Sequence, residues 1–567
     1  MFLKKFRIQN FRGISDLTLT FNNGLNIIIG ENNSGKTRII DALRICLSYK
    51  NNDRTIYVKK TDFTVGLDEI EPIEFTLYFK AEKNEEELFF EIYNGETEYF
   101  EIHYKYYIKI KNNRERIFNK VWGGPFEGER IPDEIFHYLE HIYLDPLRDS
   151  GRYLHPGRNN ILGKFFSKVE SDEHDKDDLI HDLNEKINEH EIINFVKNSK
   201  ETHIDSHLDG ITHDDFPQFN INLIPKEFDR FVENFFITLP IDGGNLELSQ
   251  NGLGYNNLIY MSILLGDLKD SNDETVYTAL CVEEPEAHLH PQLQKLFFNY
   301  LTNNLTEGYP FQIFMTSHSP ILVSHANLDS LIILENINRD INAINWTNLN
   351  LNEKNINYFN KFFDTTKVNL LFSKKVILVE GPTERILLPF FGEIKNFSFE
   401  NENIELIETN GNKNMFHYAK LFSNTDGKEH LKKKCVILVD NDKNCANDDY
   451  DETAKKLWEK YNHDNIKVLF SEKDFEFEII NSNKDNISIL KYLLLDKTIV
   501  SNIRLTKQFL NKLSEASTDE NLIYNYVNKI NFKKTNLPIK IINEWDNLEG
   551  FKIPKVIEEV FEFLKDD

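Results

Sequence analysis

The stretch that most constrains the fold is residues 30–37, which read GENNSGKT and match the pattern G-x-x-x-x-G-K-[ST] at every fixed position. An apolar run, residues 25–29, precedes it, and apolar residues at helical spacing follow it. This order predicts a strand, a loop and a helix whose backbone amides surround the phosphates of a nucleotide. Lys36 would reach the β- and γ-phosphates of ATP, and the Thr37 hydroxyl would ligate magnesium. The predicted contacts of the loop with ATP are Gly30, Asn33, Gly35, Lys36 and Thr37.

Length and composition bound the class of protein. A chain of 567 residues is too long for one core and predicts about two to four domains. No run reaches 18 apolar residues, and the first residues lack the apolar core of a signal peptide, so we expect no membrane span and no secretion. The four cysteines are scattered without metal-ligand spacing. That usage predicts a reduced, cytoplasmic compartment and no zinc site.

The net charge of −26 looks unfavourable for a nucleic-acid partner but does not exclude one, because local charge matters more than the total. One strand-like stretch, residues 104–120, is locally basic. It would line a DNA path, or it would be the solvated face of a sheet. Its basic residues are Lys105, Lys109, Lys111, Arg114, Arg116 and Lys120.

A second apolar strand, residues 278–282, ends in two acids, Glu283 and Glu284. Such a strand delivers carboxylates to the tip of a parallel sheet. Glu283 would hold the magnesium shell, and Glu284 would polarise the attacking water. His318 follows the next apolar strand and is suited to sensing the γ-phosphate. These residues, together with the phosphate loop, predict an ATP switch.

Further acids follow three apolar strands in the last third of the chain. Glu380 ends one strand, and Glu384 lies about one helical turn beyond it, so both can face one point. Asp440 and Asp442 end the next strand, and alternate residues of a strand project to the same side. The third strand leads into residues 474–478, which read DFEFE. Acids gathered at adjacent strand ends need counter-charge, and hard oxygen ligands select Mg²⁺ or Mn²⁺. Two such ions would stabilise the attacking and leaving oxygens of a phosphodiester.

The first part of the chain resembles the ABC-type ATPases of the RecF and SMC kind. The matching pieces are FRIQNFRGI at 6–14, GENNSGKT at 30–37, SQNGLG at 249–254, EEPEAHLHPQL at 283–293 and TSHSP at 316–320. The resemblance implies two heads that sandwich ATP, with Ser249 and Gly252 of one head acting on nucleotide bound to the other. Position 283 is Glu where many such proteins have Asp, and the full LSGGQ signature is missing. Both departures bear on ATP hydrolysis more than on ATP binding.

The second part resembles the Toprim fold, with VEGPTE at 379–384 and VDND at 439–442. The order of ATPase and Toprim resembles the OLD (overcoming lysogenization defect) family of ATP-dependent nucleases. In that family the Toprim domain cuts DNA with two metal ions. The resemblance also implies a lysine that stabilises the transition state, for which Lys534 fits best and Lys533 is the rival. The implied metal ligands are Glu380, Glu384, Asp440, Asp442 and Glu476, with Glu478 a close alternative to Glu476.

We therefore expect an α/β fold: an ABC-type ATPase head with a helical dimerisation insertion, followed by a C-terminal Toprim (Rossmann-like) domain. The expected function is an ATP-regulated DNA endonuclease in anti-phage defence, forming a homodimer or tetramer through the heads and the insertion. A co-encoded partner, either a helicase-like protein or a retron reverse transcriptase with its DNA, is implied by the resemblance. The alternative is an ATP-gated DNA clamp or sensor whose Toprim half does not cut. The expected segments are 1–164 and 236–345 for the ATPase, 165–235 for the insertion, 346–370 for a linker and 371–567 for Toprim.

Overall fold

The computed structural model describes most of the chain, in two compact units that interleave along the sequence. Unit one comprises Met1 with residues 47–55 and 132–313, and unit two comprises residues 2–46, 56–131 and 314–567. The predicted domain boundaries stay predictions, because these units do not follow one another in sequence. The described residues are 1–51, 54–64, 71–81, 89–111, 114–145, 153–157, 160–167, 173–188, 227–241, 244–250, 252–269, 276–287, 289–306, 311–337, 340–424, 428–443, 451–463, 465–515, 520–530, 532–533 and 535–565.

Strands dominate the first part of the chain and alternate with helices in the rest. In chain order the strands are β1 (Phe2–Phe11), β2 (Ile14–Thr20), β3 (Leu25–Gly30), β4 (Ile73–Lys80), β5 (Tyr93–Asn94), β6 (Tyr99–Lys111), β7 (Arg114–Gly123), β8 (Leu139–Leu144), β9 (Thr238–Ile241), β10 (Gly244–Glu247), β11 (Tyr277–Glu283), β12 (Phe311–Ser317), β13 (Leu331–Ile337), β14 (Asp340–Asn345), β15 (Lys375–Val379), β16 (Ile404–Glu408), β17 (Lys434–Asp440) and β18 (Ile466–Ser471).

The helices cluster in the second half of the chain. In chain order they are α1 (Lys36–Leu47), α2 (Asp133–His137), α3 (Ile161–Ser167), α4 (Glu173–Asn188), α5 (Phe228–Val232), α6 (Leu253–Lys269), α7 (Pro291–Thr306), α8 (Pro320–His325), α9 (Glu353–Phe362), α10 (Thr365–Val368), α11 (Pro382–Ile394), α12 (Asn412–Phe422), α13 (Glu452–Tyr461), α14 (Phe475–Ser482), α15 (Ile487–Leu494), α16 (Ile503–Glu515), α17 (Glu520–Lys529), α18 (Asn536–Asn543) and α19 (Lys555–Lys565). Within the described ranges, none is both long and apolar enough to span a bilayer.

An antiparallel sheet opens unit two, with strand order β2-β1-β4-β6-β5 and β7 paired to β6. Apolar residues alternate along these strands, so that one face packs inward and the other meets solvent. In β1, for example, Phe6 and Ile8 are fully buried, while Arg7 on the other face pairs with Asp16 of β2. The half-buried strands predicted from alternation are present.

The strand that leads into the phosphate loop is buried along nearly all of its length. In β3 only Leu25 is partly exposed. β3 pairs in parallel with β13, which in turn pairs antiparallel with β14. Strands buried on both faces read as continuous apolar runs, which explains why residues 25–29 lack alternation.

The C-terminal part of unit two contains a four-stranded parallel sheet of order β16-β15-β17-β18. Apolar residues of β15 and β17 form its core together with side chains from the surrounding helices. Leu387 and Phe391 of α11 pack there, as do Val560 and Phe561 of the C-terminal helix α19. Parallel strands end on one edge of such a sheet, and this edge carries the predicted acids.

Unit one contains a parallel pair, β8 with β11, and a separate hairpin of β9 and β10. β11 is buried at every position, as its apolar sequence predicts. Of the predicted insertion, residues 165–235, the structure describes the end of α3, then α4 and α5, and the segment 189–226 lies outside the described residues.

Candidate functional site

The phosphate loop joins β3 to α1, and its glycines occupy positions that other residues cannot. Gly30 and Gly35 have φ values of 156° and 97°, in the region that favours glycine. A Cβ on Gly30 would lie 2.7 Å from the carbonyl oxygen of Leu334 on β13. Lys36 begins α1, and its ammonium donates to the carbonyl oxygens of Gly30 at 2.9 Å and Glu31 at 2.7 Å. The loop therefore holds its own lysine at the start of the helix.

The rest of the loop and its supports are held by arginines. Asn33 has a φ of 65°, and its side-chain oxygen accepts a hydrogen bond of 3.1 Å from Arg38. Thr37 is exposed in the first turn of α1. Arg12, from the FRIQNFRGI stretch, donates at 2.6 Å to Asp41 of α1. Its Nε donates at 2.8 Å to Asp62. Arg12 was not singled out from the sequence, and its contacts fix the β1–β2 turn to α1.

The acids predicted to act on ATP lie in unit one. Glu283, the last residue of β11, is 2% exposed, and its Oε1 accepts a 3.2 Å hydrogen bond from the Tyr143 hydroxyl. Glu284 follows with a φ of 43°, which turns the chain sharply at the strand end. Ser249 lies in a short 3-10 turn, and Gly252 is exposed just before α6.

His318, which belongs to unit two, is half-buried directly after β12. The roles predicted for His318, Ser249, Gly252, Glu283 and Glu284 stay predictions.

In the parallel sheet of unit two, four predicted acids follow strand ends. Glu380 comes directly after β15, and Asp440 is the last residue of β17. Glu384 and Glu476 lie in the first turns of α11 and α14, where the helix dipole favours negative charge. Three of the four are buried: Glu384 and Glu476 are 4% exposed, and Asp440 is 7% exposed.

Asp440 is the electrostatic centre of this group, which we call the Toprim acid cluster (Glu380, Glu384, Asp440, Asp474 and Glu476). Burial raises the pKa of Asp440 well above its ordinary value, and repulsion from the other four carboxylates, Glu384 first, raises it further. Its own amide donates weakly, at 3.4 Å, to Glu380. The Thr383 hydroxyl donates to Glu476 at 2.9 Å. The carboxylates are thus held near one another at an electrostatic cost.

The Toprim acid cluster fits divalent metal ions in donor type and charge. All five side chains offer hard oxygen ligands, which Mg²⁺ and Mn²⁺ prefer, and cations would relieve the repulsion on Asp440. The carboxylates are not yet gathered around one point. Among the described residues, the only trio of candidate ligands whose atoms all lie within 4.8 Å is His181, Asp182 and Glu185, which are exposed on α4. Metal binding at the cluster would therefore draw side chains inward.

Two predicted residues lie differently from the simple strand picture. β17 ends at Asp440, so the alternation of a strand does not extend to Asp442. Asp442 is exposed with a φ of 47°, and its amide donates to the Lys473 carbonyl at 2.9 Å. Lys534 lies outside the described residues. Its rival Lys533 is exposed, and its amide donates to the carbonyl of Ile499 at 3.0 Å.

Glu476 and Glu478 have different surroundings, although both are buried in α14. Glu476 acts on Asp440 and accepts from Thr383. Glu478 accepts a 2.6 Å hydrogen bond from the Glu472 amide, and the carboxylates with the largest effects on the pKa of Asp440 do not include it. Burial raises the pKa of Glu478 to about 7. The geometry favours Glu476 as the member of the cluster.

Asp474 and Thr383 belong to the site but were not singled out from the sequence. Asp474 caps α14 by accepting from the Phe477 amide at 2.8 Å, and it also raises the pKa of Asp440. An Asp three residues before a helix amide reads as an ordinary cap. The only sequence signal that Asp474 also acts on Asp440 was its position shortly after β18, a strand that ends on the same sheet edge.

Three electrostatically coupled side chains lie between the strand beside the phosphate loop and the strand that carries Asp440. We call it the junction (Glu31, Glu335 and Lys433). Glu335, on β13, follows the residue opposite Gly30, and its Oε2 accepts from the Lys432 amide at 3.2 Å. Lys433 directly precedes β17 and donates to the carbonyl oxygens of Leu370 and Leu371.

In the junction, burial disfavours the charged forms of Lys433 and Glu335. Burial lowers the pKa of Lys433 to about 8, and the carboxylates of Glu335 and Glu31 oppose that shift. Burial raises the pKa of Glu335, whose Oε1 is buried and finds no hydrogen-bond partner among the residues that the structure describes. Buried charges that are coupled in this way are sensitive to small displacements, because each charge is stabilised by the opposite one.

Comparison with known proteins identifies two domains in the chain. Residues 1–122 and 129–323 match the family described as AAA ATPase domain, and residues 371–442 match the family described as overcoming lysogenization defect protein-like, TOPRIM domain. The OLD nuclease of Thermus scotoductus is 23% identical over 415 residues, which cover 69% of this chain and 74% of that protein. Endonuclease GajA of Bacillus cereus is 26% identical over 179 residues, 27% of this chain and 26% of that protein.

One solved structure is similar to this chain over about a third of its length. The C-terminal region of the Xanthomonas campestris pv. campestris OLD protein is 22% identical, covers 35% of this chain and 95% of that chain, and has a TM-score of 0.24. The predicted fold class, an ABC-type ATPase head followed by a Toprim domain, is confirmed by the family matches. Such domains use a nucleotide and a divalent metal. The match over residues 1–122 and 129–323 places the chain in the AAA ATPase domain family, and an OLD-like TOPRIM domain at residues 371–442 follows it, an order that fits the OLD family.

Proposed function

We propose that this chain is an ATP-regulated, divalent-metal-dependent DNA endonuclease of anti-phage defence. The observation that carries the proposal is Asp440, buried at the end of a parallel strand with four other carboxylates acting on it. In a domain that only serves as a scaffold, this repulsion would lower stability without a benefit. In a metal-dependent nuclease, the same repulsion favours the binding of cations. The relatives named as nucleases, from Thermus scotoductus and Bacillus cereus, support the reaction class.

The chain's own residues supply the oxygen ligands and hold them in place. Glu380, Glu384, Asp440 and Glu476 would hold the ions, with Asp442 as a further ligand reached from the loop. Bound Mg²⁺ or Mn²⁺ would supply the charge that activates water and stabilises the 3′-oxygen leaving group. Thr383 orients Glu476 through its hydroxyl, which leaves the second carboxylate oxygen of Glu476 for a cation. Lys534, or Lys533, would add positive charge on the DNA side.

ATP control is proposed to pass through the junction. The phosphate loop begins at Gly30, Glu335 lies one residue beyond the strand position opposite it, and Lys433 leads into the strand that ends at Asp440. A change in the loop that moves Glu31 or Glu335 changes the negative charge that faces Lys433. Because Lys433 leads into β17, the position of Asp440 at the end of that strand changes as well. The junction is thus an element that both sites can bias, which is what coupling requires.

Assembly is proposed to complete the ATP site. Ser249 and Gly252 of one head would contact nucleotide on a second copy, and the insertion at 165–235 would add to the dimer or tetramer interface. A co-encoded partner, a helicase-like protein or a retron reverse transcriptase with its DNA, is proposed as the trigger. ATP would bind at the loop formed by Gly30, Asn33, Gly35, Lys36 and Thr37, with Glu283, Glu284 and His318 acting on the γ-phosphate.

Nicking of supercoiled plasmid tests the proposal. Wild type should nick in Mg²⁺ or Mn²⁺ and fail in EDTA, and Asp440→Ala should lower the rate by about a thousandfold or more, as losses of essential catalytic groups do. Wild-type nicking by Asp440→Ala would remove the two-metal mechanism. DNA binding without nicking by wild type in either metal, with and without ATP, would favour the clamp or sensor instead.

A further inference from the structure

The hairpin of β6 and β7 carries like charges directly opposite one another. On one face Lys105 pairs across from Lys120, Lys109 from Arg116 and Lys111 from Arg114. Like charges at directly opposed positions destabilise a sheet. We call each opposed pair of basic residues a basic rung. Sheet formation alone does not explain three basic rungs in one hairpin, in a chain with 92 acidic and 66 basic residues.

Aromatic pairs alternate with the basic rungs on the same face. The rings of His103 and Trp122 stack with centroids 5.1 Å apart, and those of Tyr107 and Phe118 stack at 6.0 Å. The Lys109 ammonium lies 5.0 Å from the centre of the Tyr107 ring. Side chains two residues apart on a strand are about 7 Å apart, so charge recurs at regular steps along the face. The aromatic rungs support the lysine stems between them.

In the described ranges of the chain, the outer half of the hairpin is a two-stranded ribbon without a third strand. β4 pairs with β6 only as far as Tyr106, and beyond it β6 pairs with β7 alone. The inner half is anchored, because the buried Tyr104 hydroxyl donates to the Cys46 carbonyl at 3.0 Å. At the outer end Ile110, on the opposite face, is 76% exposed. The ribbon is thus rigid at its base and open to a partner at its end.

The basic residues at the inner and outer ends of the hairpin differ in their ion pairs. In the inner pair, Lys105 lies 2.7 Å from Glu74 and Lys120 lies 2.6 Å from Glu127. Within the described part of the chain, no carboxylate forms an ion pair with the four outer cations. These four exposed side chains, which we call the ribbon cations, are Lys109, Lys111, Arg114 and Arg116.

We propose that the ribbon cations bind the phosphate backbone of duplex DNA. A two-stranded β-ribbon is of a width that the major groove of B-form DNA admits, and the ribbon cations would meet the phosphates that border the groove. This would hold the DNA on the protein through contacts separate from the Toprim acid cluster. The ribbon proposal rests on the proposed function only in that it assumes DNA as the substrate. DNA binding by the ribbon can be measured without cleavage.

The test is the affinity for a 30-base-pair duplex, measured by fluorescence anisotropy in EDTA at several salt concentrations. The test variant carries Lys109→Gln, Lys111→Gln, Arg114→Gln and Arg116→Gln. The matched control removes the same charge from exposed helical positions, Lys354→Gln, Lys361→Gln, Lys507→Gln and Lys512→Gln. The test variant should bind about 100-fold more weakly at low salt, and its salt slope should fall by about three to four, whereas the control should stay within about threefold of wild type.

Other outcomes overturn the proposal. Wild-type duplex affinity in the test variant, an equal loss in the control, or a loss confined to single-stranded DNA would each do so. A changed oligomeric state with unchanged DNA affinity would make the ribbon a protein interface instead. Thermal melting checks that the variant is folded, which its exposed positions favour. Tight duplex binding by a wild type that never nicks would sink the nuclease function but leave the ribbon proposal standing.

Discussion

The phosphate loop and the Toprim acid cluster are built on opposite principles. The loop is eight consecutive residues, and its lysine is held by the carbonyls of the same loop. The cluster gathers acids from residues 380 to 476, and its central member, Asp440, is destabilised by its neighbours. Affinity for an anion therefore comes from the backbone of one short loop. Affinity for a cation comes from several carboxylates, distant in sequence, that are buried together.

The largest expected effect is a difference in nicking rate between variants of two glutamates that lie two residues apart. Glu476→Gln should slow nicking by about 100-fold, because it removes a carboxylate of the cluster, and losses at metal sites are commonly of that size. Glu478→Gln, its matched control, should stay within about threefold of wild type, because Glu478 faces Glu472 instead. Rates are measured on supercoiled plasmid across a Mn²⁺ titration. The reverse ranking would put Glu478 in the cluster.

A smaller effect is expected at Thr383, which touches a ligand rather than a metal. Thr383→Val should raise the Mn²⁺ concentration for half-maximal nicking by about tenfold, because Glu476 loses its 2.9 Å hydrogen bond. Thr383→Ser keeps the hydroxyl and should restore the wild-type value. If the valine and serine variants behave alike, the hydroxyl does not position Glu476.

The smallest effect concerns the connection between the two regions. In Glu335→Gln/Lys433→Met, both buried charges are removed together, so neither is left unpaired. The ratio of nicking rates with and without ATP should move to within about twofold of one, since allosteric couplings are commonly about 5- to 150-fold. The matched control, Glu402→Gln/Lys375→Met, removes an ion pair of the same unit, at 2.7 Å, and should keep the wild-type ratio. A wild-type ratio in the junction variant would exclude this route.

What the sequence predicts well follows from the same contrast. The loop, its strand and its helix could be read directly, because eight adjacent residues specify the structure. The acids after β15 and β17 could be placed on one sheet edge, because parallel strands end together. The choice between Glu476 and Glu478 was left open, since both lie in the first turns of one helix and only burial and neighbours distinguish them.

Other features lay beyond sequence reasoning for physical reasons. Asp442 was expected to share the side of Asp440, but the strand stops between them and the backbone turns. The junction brings Glu335 to the Lys432 amide, 97 positions later in the chain, and no local sequence pattern indicates such a contact. The opposed charges of the ribbon required the register of β6 and β7, which a list of lysines and arginines does not contain.

The most direct measurement compares plasmid nicking by wild type, Lys36→Ala and Asp440→Asn in Mg²⁺ and Mn²⁺, each with and without ATP. Wild type should nick at rates that differ with ATP, Lys36→Ala should nick at one rate in both conditions, and Asp440→Asn should nick in neither. Nicking by Asp440→Asn at the wild-type rate, or a Lys36→Ala variant that still responds to ATP as wild type does, would contradict the division of labour between the two regions.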